Sequence, residues 1–594
     1  MESNFMEKIA LILAIIIGFT FSNICCYTHK PEEIISSATI KNTNSETNSY
    51  GAYLAGRVAH IRHDLNTSAD YYMKVIDKLP SDTILINQLY IMLTSQGRVD
   101  EAVKYAEWAE KNKDKSPFIK TVKSVYEAKH QNYQQAIAKA DKSGNQFTAN
   151  LINPMLNAWF YAGLNQYTQA IKSLEPLLQD RSFHNMYLFH AGAISDYMQQ
   201  NTEADKYYSM LLNMNGLKLS NFPLQVIGNF YLRQNNMEKF NIAMNLAENP
   251  SETSTQEIIS DMKNSSSPDP IIKSPLIGVA DTLYGIAFII KNQPGAEEVS
   301  VLFASLSSYA NPDSDLPIML IGNILTSKEM YKEANAYYLK IRPEQYSYHE
   351  AQSLIAQNYM HMEEYDKAEP MLLELLKKHP SADIYLNLGE IMRINKRYRD
   401  ATIYYEKALK SLPYELYDQR WGILLALGAI YEETGPYEKA ENYLRQALIL
   451  NDDHVIKNYL GYSMLKNGKN IEEAFELIVE AYNQASDDGS IIDSLGWALY
   501  QLGFYEKAIP YLEKATNASP SEAVIYDHLG DAYWETGRKN EAIYQWTHAM
   551  GLKDSSNELN KDKVLKKINK GKKTHKPFSF DQEKIEDIMA QIDQ

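Results

Sequence analysis

The sequence predicts an all-α fold, a right-handed α-solenoid in which antiparallel helix pairs of roughly 34 residues stack side by side. Two observations carry this prediction. The chain resembles itself at a fixed offset, and within each copy the small and apolar residues recur at helical spacing. A third agrees with them: 26 glycines and 21 prolines in 594 residues are few for a loop-rich all-β fold.

The self-similarity is clearest near the C-terminus, where residues 493–520 read DSLGWALYQLGFYEKAIPYLEKATNASP and residues 527–550 read DHLGDAYWETGRKNEAIYQWTHAM. Aligned, the two segments share leucine, glycine and alanine positions at an offset of 34 residues. One alanine of this pattern, replaced once by phenylalanine, recurs along the chain at Ala69, Ala102, Ala136, Ala170, Ala204, Phe240, Ala334, Ala368, Ala401, Ala440, Ala474, Ala508 and Ala542. Such regularity indicates a repeated structural unit.

The unit reads as two helices joined by a turn. Gly503 ends the first helix, since glycine readily takes the left-handed conformation that a helix end needs. In the second helix Ala508, Leu512 and Ala515 share one face. With Gly496 in the first helix, these small residues let the antiparallel helices approach closely, and Leu512 fills the seam. A lone pair buries too little surface to fold, so neighbouring pairs must stack.

This spacing resembles the tetratricopeptide repeat (TPR). The matching residues of two further copies are Leu427, Gly428, Tyr431, Gly435, Ala440, Leu444 and Ala447, and Leu388, Gly389, Met392, Ala401, Tyr405, Ala408 and Pro413. The resemblance covers roughly residues 50 to 555 and is stronger after residue 345. The last two repeats resemble those of long exported bacterial TPR proteins. Lys396 and Glu363 depart from the pattern, because they stand where the repeat usually has glycine.

The N-terminus is predicted to be a signal peptide or an N-terminal anchor, residues 1–26. Ile9–Phe21 is an uncharged apolar run of a length typical of a signal peptide, whereas a membrane-spanning helix needs about 20 residues. A retained anchor stays open, because the run extends nearly to Cys26, and so does a lipid on Cys25 or Cys26. Either way the protein is expected to be exported, in the periplasm or membrane-associated in the cell envelope. Residues 27–49 are polar and predicted to be a disordered linker.

Two solenoid segments are predicted, a degenerate TPR-like one over residues 50–249 and a TPR solenoid over residues 278–555. Between them, residues 250–277 contain ENPSETSTQ and NSSSPDPIIKSP. Such Ser-, Pro- and Asn-rich composition predicts a loop or linker. The alternative is one continuous superhelix that carries a surface loop.

Residues 556–594 are predicted to form a basic capping helix and a tail. Eight lysines lie between Lys561 and Lys576. A terminal repeat needs a polar outer face, so a solvated cap explains them. The alternative is an electrostatic tether to anionic lipid or to an acidic partner.

The composition and motifs point away from catalysis. A formal net charge of -16 disfavours nucleic-acid binding. The two cysteines are adjacent near the N-terminus, so the repeats carry no disulfide, thiolate metal site or catalytic thiol. Walker, GxGxxG, GxSxG and HExxH motifs are absent. We therefore expect no catalytic residue, no metal, no cofactor and no small-molecule substrate.

The TPR resemblance implies a concave groove, and we define the predicted groove by the residues at its inner positions in the last repeats: Asn458, Tyr462, Asp493, Trp497, Tyr500, Asp527, Asp531 and Trp534. Aromatic rings beside carboxylates suit a peptide with basic and apolar side chains. The alternative for Trp497 and Trp534 is that they pack against the adjacent repeat as core. Asp527 and Asp531 are an i, i+4 carboxylate pair, but on a solvated groove such pairs are usually inert.

These observations predict a non-catalytic scaffold that presents its groove to a protein or peptide partner in the cell envelope. The alternative is a membrane-anchored assembly factor, or a regulatory subunit of an envelope enzyme complex. The repeats fill nearly the whole chain, which leaves no room for a catalytic domain of ordinary size.

Overall fold

The computed structural model describes residues 49–62, 64–77, 83–112, 116–140, 148–250, 252–265, 269–412, 420–552 and 559–592. The predicted signal peptide or anchor (1–26) lies outside these residues, as does the predicted linker except for its last residue. Among the helices that the structure describes, none combines the length and the apolar character that crossing a bilayer requires.

The chain divides into two compact units between Glu364 and Tyr365. The helices of the first unit are α1 Ser49–Ile61, α2 Leu65–Ile76, α3 Thr83–Ser95, α4 Val99–Lys111, α5 Pro117–Lys129, α6 Tyr133–Lys139, α7 Asn153–Gly163, α8 Tyr167–Ser173, α9 His184–Tyr197, α10 Asn201–Leu212, α11 Asn221–Arg233, α12 Met237–Asn245, α13 Thr253–Asn264, α14 Pro275–Ile290, α15 Glu297–Ala310, α16 Leu316–Ser327, α17 Tyr331–Tyr338 and α18 Tyr348–His361. Those of the second unit are α19 Tyr365–Lys378, α20 Ala382–Ile394, α21 Tyr398–Ser411, α22 Trp421–Thr434, α23 Tyr437–Leu450, α24 His454–Lys466, α25 Ile471–Gln484, α26 Gly489–Gln501, α27 Tyr505–Ala518, α28 Ala523–Glu535, α29 Lys539–Gly551, α30 Lys561–Lys570 and α31 Gln582–Met589.

The predicted all-α solenoid of helix pairs is confirmed. Over the described ranges the chain forms helices and loops, and its only β-type pairing is an isolated bridge between Leu219 and Ala247. In each unit, consecutive helices pack as pairs, for example α26 on α27 and α28 on α29. Each pair is one repeat of the predicted pattern.

Small residues lie where the helices cross, as the repeat pattern predicts. Every alanine of the series, and Phe240 in its place, is completely buried. A Cβ added at Gly496 would lie 2.7 Å from Leu512, and one added at Gly389 would lie 2.7 Å from the ring of Tyr405. The glycine of the first helix therefore makes room for a large side chain of the second.

In most repeats the turn between the two helices uses a left-handed residue, whether or not it is glycine; Gly435, with φ of -133°, is an exception. Gly503 and Gly537 have φ of 85° and 84°. Lys396 and Glu363, the departures from the glycine pattern, have φ of 56° and 59°. The fold thus imposes this conformation on ordinary L-residues, at a cost of roughly 1–2 kcal/mol each.

Residues 250–277, predicted as a loop or linker between two solenoid segments, contain a helix and do not coincide with the division into units. Part of this segment is α13, and the hydrophobic core of the first unit runs without a break from Ala52 to Ile324. The unit boundary lies instead between Glu364 and Tyr365. Ser-, Pro- and Asn-rich composition indicates local turns, but it does not indicate where the packing of a core ends.

Helices α14 and α15 pack on much earlier repeats of the first unit, which the sequence did not predict. The rings of Phe118 and Phe303 meet edge to face at a centroid distance of 5.9 Å. The Ser305 hydroxyl donates a hydrogen bond to the carbonyl oxygen of Ser95 at 2.7 Å. These contacts join segments about two hundred residues apart. The core of this unit therefore includes contacts between distant repeats as well as contacts between neighbouring ones.

Candidate functional site

The protein's own C-terminus occupies the part of the predicted groove that Tyr500, Asp527, Asp531 and Trp534 form. We define the C-terminal tail as residues 559–592, which comprise α30, the extended segment 571–581 and α31. Helix α30 packs on α29, the extended segment runs back over α28 and α26, and α31 packs on α25. The tail thus runs in the direction opposite to the order of the repeats that it covers.

Lys567 of the tail is held by two carboxylates of α28, those of Asp527 and Asp531. Its Nζ lies 2.7 Å and 2.9 Å from the two carboxylate oxygens of Asp527 and 2.7 Å from Asp531. The lysine side chain is only 17% exposed. The i, i+4 spacing of the two aspartates places both on one helical face, where they share a single ammonium group.

Asp531 is the most enclosed of these acids, at 3% exposure. It accepts a hydrogen bond from the Trp546 indole at 3.1 Å. Burial raises the pKa of Asp531, and Asp527 adds to this shift, while Lys567 and Lys572 oppose it. Burial alone would lower the pKa of Lys567, but Asp531 and Asp527 raise it above its ordinary value. The lysine therefore stays charged at neutral pH.

Trp534 packs against the point where α30 ends. Its Nε1 donates a hydrogen bond to the carbonyl oxygen of Lys572 at 3.0 Å. Gly571 has φ of 73°, and a Cβ there would lie 2.6 Å from the Trp534 ring. Glycine is therefore required at residue 571 both by its backbone conformation and by the indole.

Lys572 and His575 cover Tyr500, which is 1% exposed. The Lys572 ammonium donates a hydrogen bond to the Tyr500 hydroxyl and lies 3.2 Å from Glu535. The His575 ring lies 4.5 Å from the Tyr500 ring, and its backbone N–H donates to Glu535 at 2.9 Å. Burial raises the pKa of Tyr500, and Asp531 and Glu535 raise it further, so the hydroxyl stays protonated.

Asp493 and Trp497 are held by an internal partner, His528. The His528 Nδ1 lies 2.9 Å from the Asp493 carboxylate, and its ring stacks on Trp497 at a centroid distance of 3.9 Å. Burial would lower the pKa of His528, but Asp493 and, more weakly, Asp527 and Asp531 raise it above its ordinary value. This trio forms the wall between the last two repeats.

Asn458 and Tyr462 lie one repeat earlier, on α24, and both are half-buried. The amide oxygen of Asn458 is enclosed and has no hydrogen-bond partner among the described residues. Of the six other residues of the predicted groove, four contact the tail and two contact His528: Tyr500, Asp527, Asp531 and Trp534 in the first group, Asp493 and Trp497 in the second.

Beyond the groove, the tail crosses the turn between α26 and α27. The Phe578 N–H donates a hydrogen bond to the Gln501 carbonyl oxygen at 3.0 Å. A Cβ at Gly503 would lie 2.8 Å from Pro577, and Phe580 packs on Phe504 at 5.8 Å between ring centroids. Helix α31 then buries its apolar face, including Ile585, against α25. The tail is therefore anchored at both ends of its course.

Comparison with known proteins identifies the repeats. Sequence profiles of the tetratricopeptide repeat match residues 354–415, 423–455 and 494–547. The chain is a tetratricopeptide repeat protein. Such repeats are protein-interaction modules, and the matched profiles describe the repeat and no enzymatic domain.

The similar proteins match this TPR protein over part of their length. A TPR repeat-containing protein of Pseudomonas aeruginosa is 28% identical over 169 residues, which are 28% of this chain and 28% of that protein. Cellulose synthase operon protein C of Escherichia coli K12 is 29% identical over 115 residues, or 19% of this chain and 10% of that protein. The solved APC/C hetero-tetramer Cut9–Hcn1 has 15% identity and a TM-score of 0.36, covering 88% of this chain and 97% of that one. The chain thus spans less than a third of the two bacterial relatives.

Sequence reasoning missed the residues of this TPR protein that fill the groove, namely Lys567, Lys572 and His575, and the wall residues Glu535 and His528. The C-terminus was expected to be a solvated cap with a tail. Helix α30 packs on the last repeat, but Lys567 in this helix and Lys572 just after it are enclosed. The signal was present as complementary charge, since eight lysines follow directly after repeats whose inner positions are acidic.

Proposed function

We propose that this protein is a non-catalytic scaffold whose predicted groove binds a lysine-bearing segment of a partner protein. In the absence of that partner, the C-terminal tail occupies the site. The observation that supports this proposal is the enclosure of two tail lysines, Lys567 and Lys572, between carboxylates and aromatic rings.

The contacts of the tail define the chemistry of the expected partner. Lys567 lies over the Trp546 ring at 5.8 Å and Lys572 over the Tyr500 ring at 5.0 Å, each beside acidic groups. An ammonium group so placed gains from charge pairing and from the ring quadrupole. The two lysines are five residues apart, and Gly571 between them fits under Trp534. A partner segment with two spaced lysines and a small residue between them would make the same contacts.

Competition with an attached tail sets a threshold for the partner. A segment joined to the groove by a short connection acts at an effective concentration of the order of millimolar. A partner must therefore either bind more tightly than the tail or arrive when the tail is loosened. High salt weakens both complexes, although these enclosed pairs are screened less than surface pairs.

A peptide exchange experiment tests the proposal. We expect the full-length variant Lys567→Ala/Lys572→Ala to bind a fluorescein-labelled peptide of residues 559–592 added in trans, measured by fluorescence anisotropy. Wild-type protein should bind it at least tenfold more weakly, because its own tail competes. The matched control is Lys566→Ala/Lys573→Ala, which replaces two exposed lysines of the same segment and should behave like wild type.

Two further arms make the result decisive. Adding Asp527→Asn/Asp531→Asn to the loosened variant should abolish binding of the peptide, and a peptide lacking Lys567 and Lys572 should not bind. Circular dichroism confirms that each variant remains helical. If the loosened, folded variant does not bind the peptide, the tail is a fixed part of the fold and the groove is not an exchangeable site.

For the location, we propose export to the cell envelope, with anchoring by the N-terminus as the second candidate. The uncharged run Ile9–Phe21 supports both. The partial similarity to cellulose synthase operon protein C favours, for the second candidate, a role beside an envelope enzyme. N-terminal sequencing of the mature protein after cell fractionation distinguishes them: loss of Ile9–Phe21 indicates release, and its retention in the membrane fraction indicates an anchor.

A further inference from the structure

A cavity of about 270 Å³ lies inside the first unit, away from the predicted groove. One wall is α14, and the others come from α7, α9 and the segment that connects α10 with α11. Most of its lining is apolar, as the side chains of Met155, Phe189, Phe222, Phe288 and Ile289 illustrate. Cavities of this kind between packed helices are common ligand sites.

Helix α14 seals against its neighbour at one point and leaves space at the next. Gly278 lies directly against the Trp159 indole, so no side chain fits there. Gly285, two turns later and also lining the cavity, has no heavy atom within 4 Å of the position of a Cβ. The glycine at residue 285 therefore leaves room at the cavity that a larger side chain would fill.

One carboxylate faces this space without a partner. Asp281 lies one turn before Gly285, is half-buried, lines the cavity and makes no hydrogen bond or ion pair with any described residue. Burial raises its pKa to about 7. The other charged groups at the cavity, Lys218 and Glu248, are exposed at its mouth, and Tyr284 lines its wall. An unpaired carboxyl group in apolar surroundings is unfavourable, which points to a cationic ligand.

His190 also lines the cavity and is hydrogen-bonded to Trp159. The Trp159 Nε1 can only donate, and it does so to Nδ1 of His190 at 3.2 Å. The hydrogen of the neutral imidazole is therefore on Nε2, and no described residue accepts from it. Burial lowers the pKa of His190 to about 4, so the ring is neutral at physiological pH and does not repel a cation.

We propose that this cavity binds a small apolar amine, whose ammonium group pairs with Asp281 and whose hydrocarbon body lies among the methionine and phenylalanine side chains. This site is independent of the groove and of the protein partner proposed for it. It adds a small-molecule ligand, which is not a substrate, to a protein for which no small-molecule substrate is expected. His190 is neutral, and Lys218 and Glu248 at the mouth carry opposite charges. Asp281 is therefore the group that selects the charge of the ligand.

Titration calorimetry with three probes of one shape tests the proposal: 2-phenylethylamine, 2-phenylethanol and 3-phenylpropanoate. We expect the amine to bind full-length protein at pH 8, the alcohol at least tenfold more weakly, and the carboxylate not at all. Binding of the amine should weaken about tenfold at pH 6, because Asp281 is then mostly protonated. Equal binding of amine and alcohol, or no binding of the amine, would overturn the proposal.

Variants locate the site. Asp281→Asn should reduce the affinity for the amine at least tenfold and remove its pH dependence, while leaving the affinity for the alcohol unchanged. Gly285→Leu should fill the cavity and abolish binding of both. The control is Gly422→Leu, which adds the same side chain at a helical glycine that also has open space around it, in the second unit. If Gly285→Leu remains folded by circular dichroism and still binds the amine, the ligand lies elsewhere and the assignment is wrong.

Discussion

The imidazole of His528 is buried between Asp493 and the indole of Trp497, and it carries a charge that depends on pH. Its pKa is raised above the ordinary value of 6.5, mainly because Asp493 outweighs the effect of burial. A group with a raised folded-state pKa contributes stability that is fully present below its unfolded pKa. That stability is lost as the pH rises through the folded value.

We therefore predict that Asp493→Asn destabilises the protein most at pH 6 and much less at pH 9. At pH 6 the variant leaves a buried imidazolium unpaired, which costs on the order of 3 kcal/mol. At pH 9 only a hydrogen bond to a neutral ring is lost, worth about 1 kcal/mol. Urea unfolding followed by tryptophan fluorescence measures both values. Asp366→Asn, at an exposed aspartate, serves as the control, and an equal loss at both pH values would contradict the assignment.

Sequence reasoning worked best for residues whose identity is dictated by packing. Ala508 and Ala542 were predicted at helix crossings, and both are completely buried because nothing larger fits there. Lys396 was recognised as a departure from glycine. Its backbone is left-handed all the same, so the turn keeps its geometry even where glycine is replaced. In contrast, the pairing of Asp493 with His528 depends on two side chains 35 residues apart, which a repeat pattern does not relate.

In the helix pair α20–α21, the effect of replacing Gly389 depends on two opposing factors, the packing of the helices and the helix propensity of the residue. Gly389 in α20 faces the Tyr405 ring of α21, and Tyr405 is 1% exposed and bound to Glu390 through its hydroxyl at 2.7 Å. A Cβ at Gly389 would lie 2.7 Å from this ring. Since the tyrosine is fixed at both its ring and its hydroxyl, the helices would have to separate.

We predict that Gly389→Ala destabilises the protein by about 1–2 kcal/mol, because overpacking at the crossing exceeds the gain in helix propensity. Gly422→Ala is the matched comparison. Gly422 is also helical but has open space around it, so alanine should stabilise by up to about 1 kcal/mol. Midpoints of thermal unfolding measure both, and the idea fails if the two substitutions shift the midpoint in the same direction.

At the scale of elements, the apolar sequence of helix α14 indicates how deeply this helix is buried. Helix α14 reads PLIGVADTLYGIAFII, which is apolar on nearly every face. A helix of this kind is buried on several sides rather than exposed on one. The structure agrees, because α14 packs on α7 while its partner α15 packs on α3. The Ser- and Pro-rich stretch before α14 predicted a boundary because turn-rich composition carries no information about what the following helix packs against.

Across the whole molecule, the return of the C-terminus over the last repeats is the feature that the sequence did not specify. Of the eight lysines in this region, Lys567 and Lys572 are enclosed and six are exposed. Composition predicts that a basic segment and acidic repeats attract each other, but it does not fix which lysine meets which acid. That register comes from shape, in particular from the fit of Gly571 under Trp534 and of Pro577 beside Gly503.

Two equivalent glycines separate the contribution of the tail from that of the turn. Gly503 and Gly537 end the first helices of successive repeats with nearly the same φ. Gly537 has nothing within 4 Å of a Cβ, whereas Gly503 faces Pro577 of the tail at 2.8 Å. Alanine at either residue strains the turn by about 1–2 kcal/mol. Only alanine at residue 503 also meets the tail.

We therefore predict that Gly503→Ala loosens the tail and Gly537→Ala does not. Limited trypsin digestion should cleave after Lys573 severalfold faster in Gly503→Ala than in Gly537→Ala, because a protease needs the extended segment to leave the repeats before it can bind it. Cleavage sites are identified by mass spectrometry. Equal rates in the two variants would mean that Pro577 does not hold the tail in place. A faster rate in Gly503→Ala alone would show that one side-chain contact at a repeat turn controls access to a surface two helices away.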